Sequence, residues 1–484
     1  ESIGNPRKFS RIARRVSREK PIVAVRSGRT TQGVPMGKSS RSVEAPQEAV
    51  DAMFAQAGII QVDTLDEMFD VGQVVAHQPL PKGKRVAVVG NSDALGLLAA
   101  DAAASNGLKV TKSVSLGSTA TASDFEKALD DAIDDDRVDS VVAVYTPPLN
   151  TTGEAVANVL AAVGEQSEKP LVSTFLASEG VPELLRIPDL AGSVVGRGSG
   201  PSYPAVESAV RALAKVAEYA AWRALPDEVE IPFTDVDVPS AKRILGEALQ
   251  DSRKGRDLSQ AEVGRLLACY GVKLWDRISV SSAEEAIAAG AELGWDVVLK
   301  ATAERLRSRP DLAHVWRQIM TPADMQEAWE AFSVVVTNPE TAEFVVQKNA
   351  PAGVPVSLEG LEDPLFGPTV SFALAGALTE LVGDRVFRIP PLSSREVHDM
   401  VRGPKASPLL FGFRGTPPID IDALEDLVGR IAAMKHDLPQ LQRLSLPLIH
   451  ASEDGVHVLS ASGSVAPVAD ARTAEFVRRM HDDA

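Results

Sequence analysis

The chain has 484 residues, with 50 Lys+Arg against 66 Asp+Glu, a formal charge of −16, seven His and one Cys. An acidic balance of this size repels phosphate backbones and argues against a nucleic-acid partner. A single Cys excludes an internal disulfide and fits a reducing cytosol, and no run reaches the roughly 18 apolar residues of a membrane span.

The chain opens without Met at ESIGNPRKF, which reads as the exit of a strand into a helix. A domain begun mid-sheet would leave an unpaired edge, so more chain is expected upstream. Residues 6–20 are basic and helical in pattern, with Phe9, Ile12, Ala13 and Val16 on one face, and PIVAVRSG follows as a strand. Segment 29–46 is polar and aperiodic, a long loop of the kind that often carries function. A helix near 46–58, the strand IIQVD and a helix near 64–77 complete a first unit, 1–80. A second unit, 84–226, starts at RVAVVGNSDALGLLAADA and alternates strand, turn and helix on a flavodoxin-like plan. Its strands Arg85–Val89, 138–148 and 169–176 read as buried on both faces. After an acidic, Pro-punctuated linker comes an α+β block, 240–484. It contains a helix with an S-x-x-E start at Ser259 and the antiparallel-looking strands AEFVVQKNA, VPVSLEGLED and GPTVSFALAG. The fold class is therefore α/β, parallel units followed by an α+β domain.

Three constellations could carry chemistry. Asn91 and Ser92 lie in the turn GNSDALG, where a helix N-terminus can meet an anion, though an ordinary α/β turn has the same appearance. Lys300 ends a buried strand in VVLKAT, and Gln347 with Lys348 ends another. Two strand-borne lysines facing a polyphosphate would make a nucleotide cleft; the plain alternative is that both snorkel at a sheet margin. Asp363, Gly367 and Gly376 sit at turns, with Glu380 and Asp384 beyond them as carboxylates of the kind Mg²⁺ takes.

Together these segments resemble the acyl-CoA synthetase (NDP-forming) family, related to succinyl-CoA synthetase. ESIGNPRKF, KPIVAVRSGR, QAGIIQVDTLDEMFD, GKRVAVVGNSDALGLLAADA, VDSVVAVYTPP, WDVVLKAT, LEDPLFGP and DRVFRIPPL follow its pattern in order across nearly the whole chain. The resemblance implies flavodoxin-like CoA-ligase units, then an ATP-grasp domain. It implies ATP or ADP and acyl-CoA as ligands, with Lys300, Gln347, Lys348 and Gly376 on the nucleotide and Asn91 and Ser92 in the ligase portion. It also implies an upstream CoA-binding domain and, in some members, a GNAT acetyltransferase domain. A second copy of the chain is an expected partner; nucleic acid and membrane are not.

The family's chemistry is a phosphate relay through a nucleophilic His. The seven His are at 77, 314, 398, 436, 450, 457 and 481, and none lies in residues 1–76. Where the resemblance places the relay His the chain reads MGKSSRS, with Lys38, Ser39 and Ser40. Ser308 stands in the place of a second His, six positions before His314. Pro355 replaces a Glu, Ala373 and Ala375 crowd a glycine loop, Leu446-Pro447 replaces an Asn-Pro metal pair, and Ser460-Ala461-Ser462 replaces Asp-Ala-Arg. These positions do not support Mg²⁺ binding. The expectation is a degenerate module, a pseudoenzyme that senses acyl-CoA or nucleotide for a GNAT-type lysine acetyltransferase. Alternatives are an active ADP-forming acyl-CoA ligase and a scaffold subunit.

Overall fold

The computed structural model describes residues 6–25, 47–147, 153–175, 181–187, 195–226, 230–303, 314–335, 342–363 and 367–468. Its strands are β1 (Ile22–Val25), β2 (Ile59–Val62), β3 (Arg85–Gly90), β4 (Lys109–Ser115), β5 (Ser140–Tyr145), β6 (Leu171–Phe175), β7 (Arg256–Asp257), β8 (Arg277–Val280), β9 (Val297–Ala303), β10 (His314–Ile319), β11 (Ala342–Lys348), β12 (Val354–Asp363), β13 (Gly367–Leu374), β14 (Arg385–Arg388), β15 (Leu441–Ser452) and β16 (Gly455–Val465). Strands β1–β6 belong to one compact unit and β7–β16 to another.

In the first unit β1 and β2 pair in parallel, and β4-β3-β5-β6 form a four-stranded parallel sheet. Val86–Gly90 of β3 and all of β5 are buried, so these strands read as unbroken apolar runs rather than alternating ones. Helices Asp93–Ser105, Ala122–Ile133 and Glu154–Gln166 make the crossovers that parallel strands require. Helix Val206–Ala224 packs Val206, Val210 and Leu213 into one core with Val86 and Val88 of β3 and Ile60 of β2.

Asp139, just before β5, fixes the start of β3. It is buried and accepts from the Arg85 backbone N–H and Nε, both at 2.9 Å, and from Nη2 at 2.7 Å. The Arg85 guanidinium holds this carboxyl below the usual aspartate range. Its stabilisation is therefore present above the ordinary aspartate pKa and is lost as pH falls through the depressed one. Asp139→Asn is expected to lower stability by about 1.5–3 kcal/mol. The deficit, read by urea titration, should shrink toward acid pH.

The second unit contains a four-stranded antiparallel sheet, β10-β9-β11-β8, and a six-stranded one, β14-β13-β12-β15-β16-β7. The capping box at Ser259 forms: its Oγ accepts from Glu262 N–H at 3.3 Å and its N–H donates to Glu262 Oε2 at 2.7 Å. AEFVVQKNA, VPVSLEGLED and GPTVSFALAG are antiparallel strands, as expected, but they fall in two sheets. β11 joins β8–β10, while β12 and β13 form the second sheet, because the Pro- and Gly-bearing segment between β11 and β12 separates them. Helix Ile421–Asp437 covers the six-stranded sheet and buries Lys435 completely. Lys435 Nζ donates to the Leu441 carbonyl and lies 3.7 Å from Glu362 Oε2. Gly360 of β12 makes room for the lysine stem, since a Cβ there would sit 2.6 Å from Lys435 Cγ.

The α/β expectation, flavodoxin-like parallel sheets followed by antiparallel ones, holds. Among the described residues no helix is long and apolar enough to cross a membrane.

Candidate functional site

In the first unit the chain reverses direction of sheet growth at β3, because β4 lies on one side of it and β5 on the other. Such a switch point leaves a crevice beyond the strand ends where open α/β sheets bind ligands. A cavity of about 410 Å³ lies there, lined by Asn91, Ser92, Asp93, Gly117, Ser118, Thr146 and Pro147. Asn91 is buried, and its side chain clamps the ends of β3 and β5 together. Nδ2 donates to the Thr146 carbonyl and the Thr146 N–H donates to Oδ1, both at 2.8 Å. Gly90 permits the close approach, since a Cβ would meet the Val144 carbonyl oxygen at 2.9 Å. Ser92 is the N-cap of helix Asp93–Ser105 and makes no side-chain capping bond. Asp93 hydrogen-bonds Ser115 Oγ and adds negative charge to the same helix end. The lining is thus neutral and polar with one carboxylate.

In the second unit Lys300 was expected at a strand end. It stands instead in the middle of β9, paired with Val315 of β10 and Val345 of β11, because Ala-Thr-Ala beyond it continues the strand. Its Nζ donates to Gln347 Oε1 at 2.5 Å, and buried Gln347 passes the contact on through Nε2 to the Leu459 carbonyl of β16 at 3.0 Å. One amide therefore connects the two sheets. Burial pushes the Lys300 ammonium down to about 8, and Arg317 and Arg277 push in the same direction. Arg277 lies directly opposite Gln347 in the pairing of β8 with β11. Arg317 lies where the pairing of β10 with β9 shifts register, next to Gln318, whose φ is +61°. Among the described side chains no carboxylate pairs with the half-buried Lys300. This cation has a neutral amide and two like charges for company, which is the electrostatic setting of an anion site.

Lys348 does not join it. Side chains alternate along a strand, so Gln347 shares the Lys300 face and Lys348 takes the other. Lys348 is exposed, and its backbone bonds the Asp276 carbonyl at 3.1 Å and Trp275 Nε1 at 2.8 Å. The expected pair of converging lysines is corrected to one lysine with two arginines. Gly376 has φ +135°, a conformation that favours glycine, and it precedes the one-and-a-half-turn helix Ala377–Val382. Asp384, read as a carboxylate for a cation, is engaged by the Lys405 and Ala406 N–H groups at 2.8 and 2.9 Å.

Leu446 is fully buried in the core of the six-stranded sheet. Pro355 lies opposite His450, and Ala373 opposite Ser357 and Arg385. Ser460 and Ser462 are on β16 and half-buried. Lys38, Ser39, Ser40 and Ser308 lie outside the described residues.

Sequence reasoning missed His450 and His457. They are direct partners across β15 and β16. A signal was present, because each stands the same distance from the centre of the Glu453–Asp454 turn, and residues equidistant from a hairpin turn face each other. His450 Nδ1 and His457 Nε2 are buried with no hydrogen-bond partner among the described residues. Burial holds both imidazoles below their ordinary pKa.

Comparison with known proteins bears on both units. A family model described as an ATP-grasp domain matches residues 248–465, and one described as a succinyl-CoA ligase like flavodoxin domain matches residues 1–75. Acetate–CoA ligase (ADP-forming) I of Archaeoglobus fulgidus is 28% identical, over 95% of this chain and 68% of its own length. 4-Hydroxybutyrate–CoA ligase (ADP-forming) of Nitrosopumilus maritimus is 23% identical over 94% of this chain and 68% of its own length. Among solved structures, a dinucleotide-forming acetyl-coenzyme A synthetase 1 of Ca. Korarchaeum cryptofilum is 30% identical. That match covers 47% of this chain and all of that one, with a TM-score of 0.42.

Proposed function

We propose that the chain is a member of the NDP-forming acyl-CoA synthetase family, supported by the ATP-grasp and succinyl-CoA ligase like matches and the ADP-forming relatives, and that it binds an adenine nucleotide and acyl-CoA as an ADP-forming acyl-CoA ligase. The observation that carries this reading is the largely desolvated Lys300 ammonium, bonded to Gln347, with no carboxylate pairing it among the described side chains. A charge left in that condition is stabilised by a ligand anion, and a nucleotide di- or triphosphate supplies one. Lys300, with Arg317 and Arg277 behind it, neutralises phosphate oxygens, and Gln347 orients the ammonium. The switch-point cavity takes the acyl-CoA side. Asn91, Ser92, Ser118 and Thr146 suit the carbonyl and amide groups of a thioester arm, whereas Asp93 disfavours a phosphate there.

Magnesium does not fit the positions where the resemblance puts its ligands. Leu446 offers no oxygen from its side chain and lies in the core, and Ser460 and Ser462 are neutral. This favours a second reading, in which the module has lost the relay and serves as an acyl-CoA or nucleotide sensor, as in a chain carrying a GNAT acetyltransferase domain. The absence of His from residues 1–76 points the same way.

One measurement separates the readings. The full chain is supplied with acetate, CoA, ATP and magnesium, and acetyl-CoA is quantified. Turnover at or above about 1 s⁻¹, within the ordinary enzyme range, establishes the ligase. Binding of acetyl-CoA and ADP without turnover establishes the sensor, and absence of both removes the nucleotide reading altogether.

A further inference from the structure

The His450–His457 pair is not used by the reading above, yet it lies beside the same cation cluster. β15 and β16 carry the two imidazoles as direct cross-strand partners, which places their Cβ atoms about 4.5–5.5 Å apart. Lys300 of β9 and Arg317 of β10 are close enough to act electrostatically on His450, and Asp454 in the hairpin turn acts on His457. The Trp275 ring packs on His457 with centroids 4.4 Å apart. Two residues beyond His457, the Leu459 carbonyl receives the Gln347 bond that leads to Lys300.

His450 Nδ1 and His457 Nε2 are both buried with no hydrogen-bond partner among the described residues, in a place already crowded with cations. With the neutral ring protonated at Nε2, Nδ1 holds a bare lone pair. A buried acceptor in this state gains a hydrogen bond in one way that also suits the cations: it takes a proton and donates to an anion.

We propose that His450, flanked by His457, is a proton-accepting ligand of the nucleotide phosphates, so that anion binding beside Lys300 is coupled to uptake of a proton at His450 Nδ1. The step balances simply. The proton comes from solvent, no covalent bond to phosphorus forms or breaks, and the new N–H points to a phosphate oxygen. The proposal rests on the nucleotide reading and adds a residue and a pH dependence to it.

Burial is the main force keeping His450 neutral in the free protein, with Arg317, Lys300 and His457 acting in the same sense and the Pro351 carbonyl opposing. A bound phosphate reverses the local charge and raises the imidazole pKa. Proton uptake is therefore expected between the depressed free value and the raised bound value. Lys300, at about 8, is already charged near pH 6.5–7 and does not contribute there.

The test is calorimetry of ADP binding to the full chain at pH 6.5–7.0, in two buffers of different ionisation enthalpy. Wild-type protein is expected to take up about half to one proton more per ADP than His450→Asn. Its ADP affinity should fall by up to tenfold over the pH unit in which His450 titrates, a trend the variant lacks. His457→Gln provides the folding control, since it perturbs the same hairpin and leaves Nδ1 of His450 in place; it should retain most of the extra uptake. Equal uptake in wild type and His450→Asn overturns the proposal while leaving ADP binding intact. No ADP binding by wild type at any pH overturns the nucleotide reading and this proposal together.

Discussion

Lys300→Met is expected to stabilise the protein while weakening ADP binding about 10- to 100-fold. Both halves follow from one cause. Folding moves the ammonium from an ordinary 10.5 to about 8, which corresponds to a charging penalty of about 3 kcal/mol inside the fold. A methionine of similar length keeps the packing and removes the penalty, so a gain of about 1–3 kcal/mol is expected. The pH dependence follows the same logic. Between about 8 and 10.5 the unfolded lysine binds more proton than the folded one. Wild-type stability therefore rises with pH across that interval, and the variant should lack this rise. The binding loss reflects a missing charge-assisted hydrogen bond to phosphate, worth about 1.5–3 kcal/mol. Thermal melts at pH 7 and pH 9 with ADP calorimetry test both halves. A variant that melts lower than wild type at pH 7 would contradict the account.

Lys435→Met is expected to do the reverse and destabilise by about 3–5 kcal/mol. This lysine is even more buried than Lys300, but it has a carboxylate: Glu362 lies 3.7 Å away, itself nearly inaccessible. Removing the cation strips a buried anion of its counter-charge and the Leu441 carbonyl of its donor. The double variant Lys435→Met/Glu362→Gln should recover most of the loss, because the uncompensated charge goes with it. Chemical denaturation of the single and double variants measures the coupling. Additive losses would show that the ion pair is not the cause. Two lysines of one unit thus give opposite signs on the same substitution, decided by whether each has an anion of its own.

Much of the fold was legible because its signals are local. Apolar runs at β3 and β5 announced a parallel sheet buried on both faces, and Ser259-x-x-Glu262 announced a helix start. Strand grouping was less legible. β11 resembles its successors in pattern, and only the break before β12 sends it to another sheet. For the site, the proximity of Lys300 to Gln347 could be guessed from two strands, but the side on which Lys348 falls required the register. Arg277, Arg317 and His450 approach Lys300 from three strands separated by up to about 170 residues, and no short motif spans such a gap. The equal spacing of the two histidines about their turn was visible, yet it means nothing until β15 and β16 are known to pair.

Gln347 gives the second unit a property beyond binding. Its single amide accepts from Lys300 on one sheet and donates to Leu459 on the other, so the grip of the sheets and the fate of the ammonium form one relay of dipoles. A phosphate that draws Lys300 away removes the proton donor polarising that amide, and the Leu459 contact weakens in step. Conversely, whatever loosens β16 from β11 releases Lys300 toward solvent and lowers the cost of keeping it charged. Cargo and cohesion are then two readings of the same switch. Amide exchange on the strands flanking Leu459 should report the arrival of an anion at Lys300 before any large movement of the backbone.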